Sequence, residues 1–339
     1  MLLSRVVLLV MVALMSGLSE KQATSLEGTH GGVLLVANKG DRTLGIVDPE
    51  SGKQVATVAE DGTTGHEVAA SPDGRLAYVP IYGNSGVGKP GTDGSNMVVI
   101  DIVARKVTSS LDFGHGVRPH CAVFGPKDGL LYVTTELDQT ITVIDPHSLK
   151  VIGTIPTGQA ESHMLAITPD GRRGYTANVG PGTVSVLDME ARKKLAVIPV
   201  SGQVQRISVS VDGHKVFTAD QMKPQLAVID ASTNKVTGWI PLPAPGYGTA
   251  PTPDGRWLVV AVPGANKVAV VDLGSMKVAQ TIDVPAAPQE VVVRTDGRFA
   301  YVSCDTSHSI AVISTSDWKV EKLITAGAGA DGLAWAASK

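Results

Sequence analysis

One dipeptide recurs along this chain at a fixed interval. Asp-Gly closes a β-rich run at Asp73-Gly74, Asp128-Gly129, Asp170-Gly171, Asp212-Gly213, Asp254-Gly255 and Asp296-Gly297, and from Gly129 onward the glycines are 42 residues apart. The first interval is 55, so one unit carries an insertion. A second series places β-branched residues before an acidic one: LGIVD ending at Asp48, MVVID at Asp101, ITVID at Asp145, VSVLD at Asp188, LAVID at Asp230, VAVVD at Asp272 and, in a variant form, IAVIS at Ser314. These mark seven units. A complete unit, such as HMLAITPDG, RRGYTANVG, GTVSVLDME and KKLAVIPVSG, holds four short β-rich runs separated by Gly, Pro, Asp and Asn. Alternation and turn chemistry favour strands, and the 3.6-residue helical period is missing. Four strands per unit of roughly 40 to 45 residues is the signature of a propeller blade.

The two ends of the repeat complement each other. The first unit begins at Val33 without its leading strand, and the chain finishes with ADGLAWAASK, a leading strand with no blade after it. The expected fold is therefore all-β: a seven-bladed β-propeller of four-stranded blades over residues 33–339, closed by the C-terminal strand completing the first blade. The repeated VID aspartates have a turn-capping role in this reading, through side-chain hydrogen bonds in DPESG, DPHSL and DASTN. The runs LYVTTELDQTITVIDPHSLKVIGTIPTG and GYTANVGPGTVSVLDMEARKKLAVIPVSG resemble the YVTN-type β-propeller repeat, close to the YncE-like, cytochrome d1 haem-domain-like and bacterial surface-layer propellers. The resemblance extends from about Val33 to Lys339 and implies the fold. It leaves function open, because propellers host binding, scaffolding and several chemistries.

Ahead of the repeat, MLLSRVVLLVMVALMSGLS sets Arg5 before a short apolar run and ends in small residues. This is the layout of a secretory signal peptide, residues 1–19, followed by a linker over 20–32. Export places the mature protein in the periplasm or outside the cell, with no membrane span after cleavage and a monomer expected. Loss of Arg5 moves the formal charge from -3 to -4, which gives no attraction for nucleic acid. The two cysteines, Cys121 and Cys304, fall in blades three and seven, too far apart around a ring for a disulfide.

In such a ring the first strand of each blade lines the central channel. Aligning the units on their Asp-Gly turns puts His66, His120, His163, Gln205, Tyr247, Gln289 and Asp331 at the channel mouth. Three histidines in seven positions is an excess for a chain with 8 in 339 residues, and they belong to consecutive blades. Neutral imidazoles on adjacent strands are a common way to hold zinc, copper or iron. His66, His120 and His163 are the expected metal ligands. Cys121 and Met164 beside them are potential soft donors or ordinary packing, and His115 and His308 are potential fourth ligands. His30, His147 and His214 are expected to be solvated. No CxxCH haem-attachment motif is present.

Around the same mouth, Glu67, Glu136 and Glu161 are candidate bases, with Glu67 and Glu136 as the catalytic pair of choice, and Arg118 and Arg206 can orient an anion with their donor forks. The insertion YGNSGVGKPGTDGSN, Tyr82 to Asn96, lies above His66. It reads either as a mobile lid whose Tyr82 or Lys89 touches a ligand or as a tolerated surface loop. Two functions follow. The first is an exported propeller that binds a small molecule, or a cell-envelope or protein partner, at its loop face with a histidine metal site. The alternative is a metal-dependent hydrolase or lyase of lactonase type, using the same histidines with a nearby glutamate as base.

Overall fold

A computed structural model describes residues 31–60 and 62–338; the expected signal peptide, His30 and most of the linker lie outside the described residues. Seven four-stranded antiparallel sheets form a ring of blades. Among the described residues there is no α-helix, and one 3-10 turn, Pro263–Ala265, sits in a hairpin of blade six.

Blade three shows the common pattern. Its inner strand Pro119–Phe124 lines the channel, Leu131–Thr135 and Thr140–Asp145 form the middle, and Lys150–Pro156 is the outer edge. The two middle strands are packed against the neighbouring blades on both faces, so LYVTT is buried throughout and TITVID is buried at its four central residues. The outer strand has water on its far side, and in blade five it alternates exposed and half-buried residues, KVTGWIP. Burial of each middle-strand Val, Ile or Leu contributes about 1.5–3 kcal/mol, and these clusters run from blade to blade, as where Ile141, Tyr175, Val186 and Val216 share one core.

The turns behave as their residues require. Gly171 has φ +74°, and Asp170 Oδ1 accepts from the Thr168 hydroxyl at 2.6 Å and from the Arg172 N–H at 3.0 Å. The VID aspartates cap the next turn: Asp145 accepts from the His147 N–H at 2.9 Å and Asp188 from the Ala191 N–H at 2.9 Å.

Ring closure follows the sequence expectation. Ala330–Ala337 pairs antiparallel with Gly32–Asn38, with Leu35 opposite Ala334, and supplies the inner strand of blade one. The closing strand also reaches the next blade, where the Gly332 N–H donates to the His66 carbonyl at 2.9 Å. The insertion extends blade two: strands Leu76–Gly83 and Asp93–Asp101 are the longest hairpin pair of the seven blades, and Tyr82 is a fully buried strand residue beneath the loop.

Candidate functional site

Inner strands enter the channel with a register break. In blade three, Pro119 faces Thr135 but Ala122 faces Val133, so the inner strand holds one extra residue. The same break separates Val204 from Ile207 in blade five and Pro288 from Val291 in blade seven. A bulge of this kind re-aims side chains. Here it yields two adjacent residues per blade that build two layers of the channel. The upper layer is the expected ring, His66, His120, His163, Gln205, Tyr247, Gln289 and Asp331. The lower layer is its sequence neighbour in each blade, including Glu67, Cys121, Met164, Arg206 and Glu290. Blades six and one place Gly248 and Gly332 there, because a Cβ on Gly248 would lie 2.2 Å from the Gln289 carbonyl oxygen and one on Gly332 would lie 2.6 Å from the Glu67 Cα.

The three histidines come together. His120 and His163 stack with ring centroids 3.5 Å apart and planes 29° from parallel, and His66 meets His120 edge-on at 5.6 Å. Tyr82 packs against all three, 4.9 to 5.7 Å from each ring. Its hydroxyl donates to Glu136 Oε2 at 2.9 Å, the oxygen that also lies 3.1 Å from His163 Nδ1. That contact makes Nδ1 the protonated nitrogen of His163 and leaves Nε2 with its lone pair. His120 Nδ1 is buried with no hydrogen-bond partner.

Burial keeps these rings neutral. It lowers the His66 pKa to about 4 and pushes His120 and His163 below their ordinary value, with His163 partly restored by Glu136. The geometry is one of stacking, and among the described residues no group of three or more His, Cys, Asp or Glu side chains is arranged to hold a metal ion.

Arg118 ties this cluster to the insertion. Its Nε donates to Asp93 Oδ1 at 2.6 Å, Nη2 to the Lys89 carbonyl at 2.8 Å, and Nη1 lies 3.6 Å from Glu136 Oε1. These anchors hold the loop to the ring through its backbone, and the Lys89 side chain is exposed. Between the loop and blades three and four lies a cleft of ≈ 400 Å³ lined by Lys89, Arg118, Glu136, Leu137 and Glu161.

On the lower layer, Arg206 crosses the channel. Its guanidinium pairs with Glu67 at 2.5 Å, with Asp331 at 3.2 Å and with Glu290, and its Cζ lies 4.9 Å from the Tyr247 ring centroid. Asp331 is also paired with Lys39 at 3.1 Å, and Lys39 with Asp305 at 3.4 Å. Burial raises Glu67 to about 8 and raises Glu290 against the pull of Arg206; for Asp331 burial is outweighed by Lys39 and Arg206, which hold it low. Arg206 is 2% exposed, with Nη1 and Nη2 engaged by these carboxylates and Nε buried without a partner.

Other candidates stand apart from the cluster. His115 is 61% exposed and contacts Asp138 at 2.9 Å, and exposed His308 accepts from the Gly329 N–H through Nδ1 at 3.2 Å. Cys121 and Cys304 are buried and unpaired, and Met164 Sδ lies 3.7 Å from Arg206 Nη1. Glu161 accepts from the Gly180 N–H at 2.7 Å. Gln205 and Gln289 hold their ring positions half-buried. Lys39 and Glu290 were not among the residues singled out from the sequence. Glu290 had a signal, since Glu67, Arg206 and Glu290 share one repeat position with opposite charges; Lys39 had none.

Comparison with known proteins agrees with the fold. The chain is 31% identical over 157 residues to the seven-bladed β-propeller protein Rv1057 of Mycobacterium tuberculosis, a match covering 46% of this chain and 35% of that one. The chain thus spans about a third of the length of this curated relative. Among solved structures it resembles the dihydro-heme d1 dehydrogenase NirN in complex with DHE, with TM-score 0.65 and 16% identity over 90% of this chain and 75% of NirN. It also resembles a functionally unknown protein from Desulfotomaculum acetoxidans DSM 771, with TM-score 0.75 and 14% identity over 91% and 100% of the two chains. At these identities the structures bear on the fold. The family model for the cytochrome D1 heme domain matches residues 92–329, more than half of the chain, and of the propeller groups that the repeat resembles it is this one to which the protein belongs.

Proposed function

We propose that this protein is an exported, monomeric binding propeller whose site is the imidazole cluster of His66, His120 and His163, and that the group held there is a zinc, copper or iron ion. The observation that carries the reading is the donor set. Three neutral imidazoles from consecutive blades lie in contact, and Glu136 fixes the tautomer of His163 as carboxylates do behind metal-bound histidines. The unpartnered His120 Nδ1 points the same way, since buried polar atoms are rarely left without a partner. The stacked rings have to part for their nitrogens to meet one ion. A bound ion would supply Lewis acidity at the mouth, while Tyr82 and Arg118 hold Glu136 in place and the cleft under the insertion admits a small ligand. Gln205, Tyr247, Gln289 and Asp331, with Arg206 beneath them, complete the wall that such a ligand meets.

The residues present do not fit haem, the group for which the family is named. His120 and His163 are 2% and 1% exposed and lie face to face, so haem would need a larger opening than the parting of rings that a single ion requires. Arg118 and Arg206, the guanidinium groups nearest the cluster, are already paired with Asp93, Glu136, Glu67, Glu290 and Asp331. Binding is preferred over lactonase-type hydrolysis because Glu67 and Glu136 are both engaged: Glu67 by Arg206, Glu136 by Tyr82, His163 and Arg118.

Elemental analysis of the protein purified from an exported preparation, beside a His66→Ala, His120→Ala, His163→Ala variant of native circular dichroism, tests the reading. Near-stoichiometric zinc, copper or iron that the variant lacks is expected. Absence of metal from the native protein after incubation with each ion and desalting would overturn it.

A further inference from the structure

On the face opposite the histidines, between blades four and five, a cleft of ≈ 470 Å³ is lined by Lys127, Asp170, Arg173, Tyr175, Asp212 and other turn residues. Its tyrosine is unlike its counterparts. Tyr78, Tyr132, Tyr175 and Tyr301 occupy the same place on the second strands of their blades. The Tyr132 hydroxyl donates to Asp128 at 2.7 Å, that of Tyr78 reaches the Pro146 carbonyl at 3.4 Å, and Tyr301 is hydrogen bonded with Arg294. Tyr175 is fully buried, and its hydroxyl has no partner. The turn aspartate that serves Tyr132 in blade three makes no such bond in blade four, where Asp170 Oδ1 accepts from Thr168 and Arg172. Asp212, across the cleft, turns its Oδ1 to the Ser210 hydroxyl and the His214 N–H.

Two cations line this cleft with Tyr175. Among the described residues, neither Lys127 nor Arg173 takes part in a salt bridge, and both are exposed. In the corresponding cleft between blades seven and one two of the three basic groups are occupied, Arg294 by Asp296 and Lys322 by the Pro49 and Glu50 carbonyls. We propose that the cleft between blades four and five is a binding site for a phosphate group, free or borne by a small molecule, held by Lys127 and Arg173 and accepting a hydrogen bond from the Tyr175 hydroxyl. A phosphate group offers several acceptor oxygens to one fork, one ammonium and one hydroxyl, and charge-assisted bonds of this type are the strong ones. Shifting of the Arg173 side chain, which is exposed and held by no carboxylate, opens the path to the buried hydroxyl.

The test uses the full chain at constant ionic strength, titrated calorimetrically with inorganic phosphate, glycerol phosphate and citrate. Saturable binding of either phosphate compound is expected, inorganic phosphate alone marking the free ion as ligand and both marking the group. Arg173→Gln and Lys127→Gln should each weaken it about tenfold. Tyr175→Phe separates a site from a packing accident. It should weaken phosphate binding several-fold while leaving the ligand-free melting temperature unchanged or higher, since it removes a buried hydroxyl that nothing satisfies. No saturable phosphate binding, binding of citrate alone, or Tyr175→Phe without effect on affinity would overturn the proposal. The histidine cluster lies on the other face, so the outcome is independent of its metal content.

Discussion

Replacing Arg206 by methionine removes the cation that Glu67, Glu290 and Asp331 share inside the channel, leaving Lys39 on Asp331 alone. Methionine matches the length of the arginine stem, so little volume is lost, and the change is mainly electrostatic. In the native protein the guanidinium serves Glu67, Glu290 and Asp331 at 2% exposure. Breaking a buried pair from one side costs about 3–5 kcal/mol, because the remaining charge is stranded. The loss should lie near the lower end, about 3 kcal/mol at pH 7.5, since burial raises the Glu67 carboxyl and Lys39 still pairs with Asp331, so less charge is stranded. At about 2 cal/mol/K per residue over roughly 300 ordered residues, 3 kcal/mol lowers the melting temperature by about 5 °C. The deficit should shrink as the pH falls toward 5.5, where the stranded carboxylates bind protons more readily in the folded variant than in its unfolded chain. Arg206→Met combined with Glu67→Gln and Glu290→Gln should recover much of the loss. Scanning calorimetry at several pH values checks all three statements. An Arg206→Met protein as stable as the native one at pH 7.5, or a deficit that grows on acidification, would refute the reasoning.

Further outcomes follow from the same geometry. The folded pKa of His66 is about 4 and those of His120 and His163 are also lowered; the folded protein binds fewer protons than the unfolded chain below pH 6.5. Their contribution to stability is therefore present above that pH and lost as the pH falls through the folded values, and His66→Phe should flatten this part of a stability profile from urea unfolding. Gly248→Ala drives a methyl into the Gln289 carbonyl and should cost about 1–3 kcal/mol, read from the same urea midpoints. Glu136→Gln should reduce the affinity of the proposed metal about 10- to 100-fold with a smaller change in melting temperature, measured by competition with a chromophoric chelator. Deleting residues 330–339 leaves strand Gly32–Asn38 without its inner partner and should abolish the cooperative thermal transition.

The legible and illegible parts of this molecule divide along a physical line. Blade number, strand order and closure follow from a period, and the period is written in turn residues whose local chemistry needs no tertiary context: Gly171 takes a left-handed φ and Asp170 folds back on its own turn wherever the blade sits. The upper ring was legible for the same reason, and its histidines do meet. What lay beyond reach was distance and direction. That His120 and His163 stack, or that Arg206 spans the channel to blades two, seven and one, depends on rotamers and on the bulges in the inner strands of blades three, four and five. The pairing of Glu136 with His163 crosses two blades and leaves no mark in either repeat. Tyr82 was visible as part of an insertion, yet it belongs to the wall beneath it, because the insertion lengthens the strands before it forms a loop.

The closing strand has a consequence for how this chain reaches its native state. Leu35 finds its partner Ala334 almost at the other end of the molecule, about 300 residues away. A chain emerging from the ribosome holds blade one as a three-stranded sheet with an open inner edge until strand Ala330–Ala337 is delivered. Six blades can assemble by contacts between neighbours in sequence, while the seventh waits on a single late encounter. Folding should then be limited by that encounter, and unfolding should begin where it was made. The interval before closure is when an exposed edge invites pairing with another chain, so yield in refolding should fall with protein concentration even though the finished ring has no edge left at that seam.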